Sequence, residues 1–297
     1  QARSLLAQAR LDPSRAISQK AEALLEGSPE DSRALGLQVF LLGKLRVVVG
    51  AEEIGEDGWP TRKIRSLLAC LASARGEPIS EEKLMARFWE HSGERARHSL
   101  HNSVSQIRRV LGERLGPMAR RAVVKRQEGY VLNRDFPCWV DLEEFRERLL
   151  RGRYLAERGR WDEALVELQR VDRLYRGEFL EGIYEEWCED LRLKCLGSLI
   201  EALQLLARYF LERGKPEVSA DYWRRILARD NCHEDAYLGL MHCSLQLGRP
   251  GEAVKIYHQC GQVLKKELNL SPPPRMVELY LRTIRQEPCD LTFRQPI

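Results

Sequence analysis

A repeat in the second half of the chain constrains its fold more than any other feature. Gly214 and Gly248 are 34 residues apart, each opens a similar turn-then-helix unit, and an alanine follows each glycine at a similar distance. The segment GRWDEA, which begins at Gly159, is a third copy. Helix–turn–helix units of about this length, with small residues where the helices cross, stack on one another to bury a continuous core. The sequence therefore predicts an array of stacked helices over residues 139–297.

A basic stretch from Arg95 to Arg126 is the strongest charge feature, with nine Lys or Arg and a single acid, Glu113. Within it, RARHSLHNSVSQIRRVL predicts one amphipathic helix, whose apolar residues recur at spacings of four, three and four: Leu100, Val104, Ile107 and Leu111. The other face carries hydrogen-bonding side chains and arginine: His98, His101, Asn102, Ser105, Gln106 and Arg109. Such a face suits a helix that reads base edges while holding phosphates, and an ordinary basic surface helix is the alternative.

The charge is unevenly distributed along the chain. Residues 36–138 contain 18 basic and 12 acidic residues, whereas residues 139–297 contain 25 basic and 27 acidic residues. This asymmetry predicts a polyanionic partner for the first of these regions only.

The order of segments predicts three parts. Residues 1–35 are expected to be the C-terminal remnant of an upstream helical domain, with a break at Asp12-Pro13. Residues 36–138 contain the strand-like run LQVFLLGKLRVVV, three helical segments and a basic hairpin at AVVKRQEGYVLN, which is the order of a winged helix-turn-helix with an extra N-terminal sheet. Residues 139–297 form the tetratricopeptide-like repeat region. The expected fold class is mainly α with a small β component.

Two further segments are candidates for DNA contacts. Arg126, Gln127 and Tyr130 lie at the tip and flank of the predicted hairpin, where a wing meets the minor groove or the phosphates beside it. Packing of Tyr130 on the core is an equal alternative. The first predicted helix presents donors and free backbone N–H groups at its start, which favour a phosphate: Thr61, Arg62 and Lys63.

The sequence favours a protein that is not an enzyme and needs no cofactor. It contains no GxxxxGK[ST], HExxH or GxSxG motif. His98 and His101 are three residues apart without a nearby Cys or carboxylate, so no metal site is expected. Eight cysteines without a CxxC pair indicate reduced, buried thiols. No apolar run approaches the ~20 residues that cross a membrane, so we expect a cytoplasmic protein without membrane contact.

Longer motifs are similar to those of a known family. They are FLLGKLRV, TRKIRSLLACLASARGEPISEEKLMARFW, ARHSLHNSVSQIRRVLG, EGYVL, WVDLEEFRERL, LYRGEFLEG and KKELNLSPPPRMVELY. With them, residues 37–133 resemble the OmpR/PhoB-type winged-helix domain. Residues 140–286 resemble the bacterial transcriptional activator domain that follows it in the antibiotic-regulatory, or SARP-type, activators.

The resemblance implies a sequence-specific DNA-binding transcriptional regulator, expected to be an activator, with helix 95–112 in the major groove of promoter DNA, often at direct repeats. By position, base contacts are expected at Ser99, Asn102 and Gln106. Backbone contacts on this helix are expected at the following residues: Arg97, His98, Ser103, Ser105, Arg108 and Arg109. The repeat region is expected to self-associate on DNA or to contact RNA polymerase holoenzyme. The alternative is a signal-sensing interaction scaffold built on the repeats, with the winged helix as a docking module.

Overall fold

The computed structural model describes residues 36–74, 76–90 and 93–287, so the predicted helical remnant at 1–35 lies outside the described residues. Within these ranges, no helix combines the length and the apolar character needed to cross a bilayer.

The chain folds as two compact units. One comprises the described residues up to Arg146 together with Leu174–Cys195, and the other comprises Glu147–Arg173 together with the described residues from Leu196 onward. The chain therefore passes between the units three times. This division differs from the predicted domain boundary at 138–139, because residues 174–195, inside the predicted repeat region, belong to the first unit. The predicted boundary itself stays a prediction.

The first unit has the predicted order of strands, three helices and a hairpin. Its elements are β1 (Leu37–Phe40), β2 (Arg46–Val49), β3 (Glu52–Glu53), α1 (Arg62–Ser73), α2 (Glu81–Phe88), α3 (Glu94–Leu115), a 3₁₀ turn (Gly116–Arg121), β4 (Val123–Arg126), β5 (Gly129–Leu132), β6 (Cys138–Val140) and the start of α4 (Asp141–Glu157).

Four of the strands form one sheet in the order β3-β2-β1-β6. Strand β1 pairs antiparallel with β2 and parallel with β6, with Leu37 opposite Cys138. Gly43, which the sequence places at a hairpin or bulge, lies between β1 and β2 with a φ of 117°, where a residue with a side chain would be strained. Strands β4 and β5 form a separate hairpin.

The three helices begin and bury their faces as their sequences predict. Thr61 caps α1, because its Oγ1 accepts a hydrogen bond from the N–H of Ile64 at 3.3 Å. Ser80 caps α2 in the same way, accepting from the N–H of Lys83 at 3.2 Å. The apolar stripe of α3 lies in the core, with each member at most 1% exposed: Leu100, Val104, Ile107 and Leu111. The opposite face of α3 is thereby turned to solvent.

Asp141 joins the start of α4 to the residues that follow β1. Asp141 is buried, with only 1% of its surface exposed. Oδ1 accepts the N–H of Leu41 at 2.8 Å and that of Leu142 at 2.7 Å, and Oδ2 accepts the N–H of Leu42 at 3.0 Å. Burial raises the pKa of Asp141 to about 6, while the three N–H donors act to lower it.

Residues 174–195 are joined to the rest of the first unit by backbone hydrogen bonds to the segment that follows β1. The N–H of Leu180 donates to the carbonyl of Leu41 at 2.8 Å, and the N–H of Gly43 donates to the carbonyl of Glu178 at 3.0 Å. Phe179 and Leu180 are fully buried. The core of the winged-helix unit therefore includes apolar residues that come from far along the chain.

The second unit is helical. Its helices are the remainder of α4, α5 (Trp161–Leu174), most of α6 (Glu186–Glu212), α7 (Pro216–Leu227), α8 (Glu234–Gln246), α9 (Pro250–Leu268) and α10 (Pro274–Ile284). Gly159, Gly214 and Gly248, the predicted equivalents of one another, adopt φ values of 72°, 69° and 70°. Each lies in the turn before a helix, so the glycines mark one structural position in three copies of the unit.

Close helix packing in the second unit depends on small residues. Ala220 and Ala253, the alanines that follow the repeat glycines, are 4% and 0% exposed. A Cβ at Gly239 would lie 2.3 Å from Cε2 of Trp223, which is itself fully buried. A larger side chain at Gly239 would therefore force the tryptophan to move.

Candidate nucleic-acid interface

The solvent-facing side of α3 carries polar and basic groups, and most of the residues that the sequence predicts for DNA contact on this helix are among them. The exposed members are Arg95, Arg97, His98, Asn102, Ser105 and Arg109, and the half-buried members are Ser99, His101, Gln106 and Arg108. Between Arg95 and Gly112 the helix contains no acidic residue. The face thus combines hydrogen-bonding groups with positive charge, as major-groove recognition requires.

The two serines assigned to phosphate differ in their surroundings. Ser103 is 8% exposed, and its Oγ donates to the carbonyl of Ser99 at 2.8 Å. Ser105 is exposed, and its Oγ donates to the carbonyl of His101 at 2.9 Å, which leaves its lone pairs free to accept. Burial removes Ser103 from our proposed contacts, because it lies on the core side of the helix, whereas Ser105 is kept.

The arginines on this surface fall into those that have a partner in the described part of the chain, Arg97 and Arg108 among them, and those that have none. Arg108 Nε donates to the carbonyl of Val123 at 2.9 Å, so this side chain links α3 to the hairpin. Arg95, Arg109 and Arg126 are exposed, and none has an ion pair or side-chain hydrogen bond among the described residues. The second group is available for phosphate without breaking an internal contact.

The two predicted amide readers are also unengaged within the described part of the chain. Asn102 is exposed. Gln106 Oε1 is buried and has no hydrogen-bond partner there. A buried acceptor without a partner is costly, and the Gln106 side chain must rotate before this oxygen can accept a hydrogen bond from a base edge.

The three residues of the hairpin that were predicted to contact DNA also differ in burial. Arg126 and Gln127 are exposed near its tip. Tyr130 is 5% exposed, and its backbone exchanges two hydrogen bonds with Ile79, at 2.9 and 2.8 Å. Burial raises the pKa of the Tyr130 hydroxyl. Of the two alternatives for Tyr130, packing on the core is the one that its burial supports, and we remove it from the proposed contacts.

The start of α1 presents its predicted donors to solvent. Thr61, Arg62 and Lys63 are exposed. The Thr61 hydroxyl accepts in the cap and so retains a proton to donate. Lys63 Nζ lies 5.5 Å from the centroid of the Trp89 ring, an arrangement in which the ring holds the ammonium group in place.

Two basic residues outside α3 lie near this surface and are absent from the predicted contacts. Arg120, in the 3₁₀ turn, lines a surface hollow of about 830 Å³ together with Arg108 and Arg109. Lys125, on β4, is exposed beside α3. Both lie in the basic stretch, but only the fold brings them next to the helix.

The cysteines carry no second site. Seven are free thiols, five of them buried and two half-buried (Cys138 and Cys232), and Cys289 lies outside the described residues. Among the residues described, no group of three or more His, Cys, Asp or Glu could hold a metal ion.

Two family descriptions match the chain in tandem. The description "Transcriptional regulatory protein, C terminal" matches residues 55–132, and "Bacterial transcriptional activator domain" matches residues 140–284. The first corresponds to the OmpR/PhoB-type winged helix and the second to the helical repeat region. The chain therefore has the tandem domain arrangement of the SARP-type transcriptional regulators.

Individual relatives are transcriptional regulators of actinobacteria. MoaR1 of Mycobacterium bovis is 26% identical over 232 residues, 77% of this chain and 74% of MoaR1. EmbR of Mycobacterium tuberculosis is 26% identical over 86% of this chain, which spans 65% of EmbR. RedD of Streptomyces coelicolor is 27% identical over 76% of this chain and 65% of RedD.

A solved structure of Mycobacterium tuberculosis EmbR in complex with a low-affinity phosphopeptide is similar in fold. It has a TM-score of 0.75 and 25% identity, and covers 86% of this chain and 67% of that one.

Proposed function

We propose that this chain is a sequence-specific, promoter-binding transcriptional activator that places α3 in the major groove. Asn102 and Gln106 read base edges, and Ser99, half-buried beside them, is a third candidate. The phosphate contacts come from exposed residues around them: Arg62, Lys63, Arg97, His98, Ser105, Arg109, Arg126 and Gln127. Thr61 adds its hydroxyl, and Arg108 serves mainly to position the hairpin.

The observation that carries this proposal is the composition of the exposed face of α3. Asn102 and Gln106 have no partner among the described residues, and Arg95 and Arg109 on the same helix have none either. A surface helix that served only for solubility would be expected to carry acids among its bases. Unengaged amides beside unpaired arginines fit base readout combined with phosphate binding.

The second unit is proposed to supply self-association on double-stranded DNA at direct repeats, or contact with RNA polymerase holoenzyme. The repeat region, residues 139–297, which includes this unit, has 25 basic and 27 acidic residues, and this balance disfavours DNA as its partner. Three apolar side chains at its C-terminal helices are about half exposed: Leu268, Leu270 and Ile284. These side chains offer apolar area that a protein partner would cover.

Selection of bound duplexes from a random pool, followed by fluorescence anisotropy on the selected and on a random duplex, tests the proposal. We expect the selected duplex to bind more tightly, and log K to fall with log salt by ~0.9 for each phosphate contact. The interaction scaffold predicts the opposite result, with no enrichment of any sequence and no binding even in low salt.

A further inference from the structure

One carboxylate lies inside the basic surface and engages three of its side chains. Glu81, the first residue of α2, has a side chain that is 14% exposed. Its Oε1 lies 2.5 Å from Nζ of Lys125 and 3.3 Å from Nε2 of His101, and its Oε2 lies 3.5 Å from Nε of Arg97. Lys125 belongs to β4, and the other two belong to α3, so Glu81 joins three elements.

The side chains that Glu81 engages are not buried by it. Those of Arg97 and Lys125 are 54% and 52% exposed; Arg97 belongs to the surface assigned above to DNA, and Lys125 lies beside it. The hydrogen bond from Lys125 is the main cause that lowers the pKa of Glu81, so the group is a carboxylate at neutral pH. A carboxylate and a phosphate offer the same kind of charged oxygen acceptor to an ammonium or guanidinium group.

We propose, on the basis of the function proposed above, that Glu81 is an internal competitor of DNA phosphate. In the free protein it neutralises part of the charge of Arg97 and Lys125. A phosphate that approaches these cations must share them with Glu81 or displace it. Glu81 thereby weakens sequence-independent attraction to DNA, which is almost wholly electrostatic.

Glu82 provides a matched control. It follows Glu81 on the same helix, is exposed, and has no ion pair or hydrogen bond among the described residues. Glu82→Gln removes the same formal charge at nearly the same place, but it frees no cation. Comparison of the two variants therefore distinguishes two effects. One is the loss of the ion pairs that hold Arg97 and Lys125, and the other is the general change in the electrostatic field of the protein.

The test measures the affinity of the full chain for a random-sequence duplex by anisotropy, over a series of salt concentrations. For Glu81→Gln we expect Kd to fall about three- to tenfold and the salt slope to steepen by ~0.9 for each cation released, up to two. For Glu82→Gln we expect less than a twofold change and an unaltered slope.

A double-mutant cycle with Lys125→Met tests the route of the effect. In the wild-type background, loss of Lys125 should change Kd little, since its charge is already engaged. In the Glu81→Gln background it should remove about half of the gain. Thermal unfolding of each variant shows whether it folds. If Glu81→Gln is poorly folded, Lys125→Met alone still tests the inference, because a large loss of affinity in the wild-type background would mean that Glu81 does not hold the charge of Lys125.

Two results would overturn the inference: a folded Glu81→Gln variant that binds random DNA no more tightly than wild type, or equal tightening by Glu81→Gln and Glu82→Gln. Failure of the underlying function looks different. In that case the wild-type chain itself shows no salt-sensitive binding to any duplex.

Discussion

Asp141 makes the stability of the protein depend on pH in a direction opposite to that of most carboxylates. Burial raises its pKa from 3.8 to about 6, so the folded protein binds this proton more tightly than the unfolded chain does. The contribution of Asp141 to the free energy of unfolding is therefore largest in acid, and falls as the pH rises from about 4 to about 6.

The size of the effect follows from the two pKa values. Each pH unit between them corresponds to about 1.4 kcal/mol, so a difference from 3.8 to about 6 amounts to roughly 3 kcal/mol. Because Asp141 is 1% exposed, little of this is lost to solvent screening. The three N–H donors to the carboxylate oppose burial but do not outweigh it.

Urea denaturation of the wild type and of Asp141→Asn, at a series of pH values from 4 to 8, measures this contribution. The amide does not titrate, and the other groups titrate equally in both proteins, so the difference between their unfolding free energies isolates Asp141. We expect this difference to favour the wild type by ~2.5 kcal/mol more at pH 4 than at pH 7, a little less than the full value because the unfolded-state carboxyl is already partly ionised at pH 4. Two results would refute the reasoning. A flat difference would mean that the N–H donors cancel the effect of burial, and a difference that grows toward neutral pH would mean that they dominate.

Three further predictions concern DNA binding and folding. Asn102→Ala and Gln106→Ala should each cost ~1–3 kcal/mol on the selected duplex and little on random DNA; equal losses on both in an anisotropy titration would contradict base reading. Arg109→Ala should weaken both duplexes alike and lower the salt slope by ~1, and an unchanged slope would remove this arginine from the interface. A fragment of residues 36–138 should show no cooperative thermal transition by circular dichroism, since it lacks part of β6 and the stretch 174–195. A fragment of residues 36–195 should show one. Cooperative melting of the shorter fragment would mean that its own core is sufficient for folding.

Local pattern made the helices of this protein predictable. The apolar spacing that places Leu100 and Ile107 on one side of α3 depends only on the geometry of a helix, and both are fully buried. The repeat glycines were readable for a similar reason, because a left-handed turn before a helix favours glycine wherever it recurs.

Contacts between distant parts of the chain were not readable in this way. Asp141 is bound to Leu41, 100 residues earlier, and no spacing rule connects them. Glu81 looked like an ordinary first-turn acid, since its three partners come from elements whose approach only the fold determines. The assignment of Ser103 on α3 to phosphate, made by position, missed the rotation of the helix that buries this residue and leaves Ser105 exposed.

The three passages of the chain between its units limit how such a regulator can be recombined. A gene fusion made at 138–139 would cut β6. It would also separate the winged helix from residues 174–195, which complete its unit. To graft this winged helix onto another effector, an engineer would have to supply residues 174–195 in trans or carry the intervening helices with them. Evolution faces the same restriction. A functional exchange between related genes should therefore transfer both units together rather than one of them.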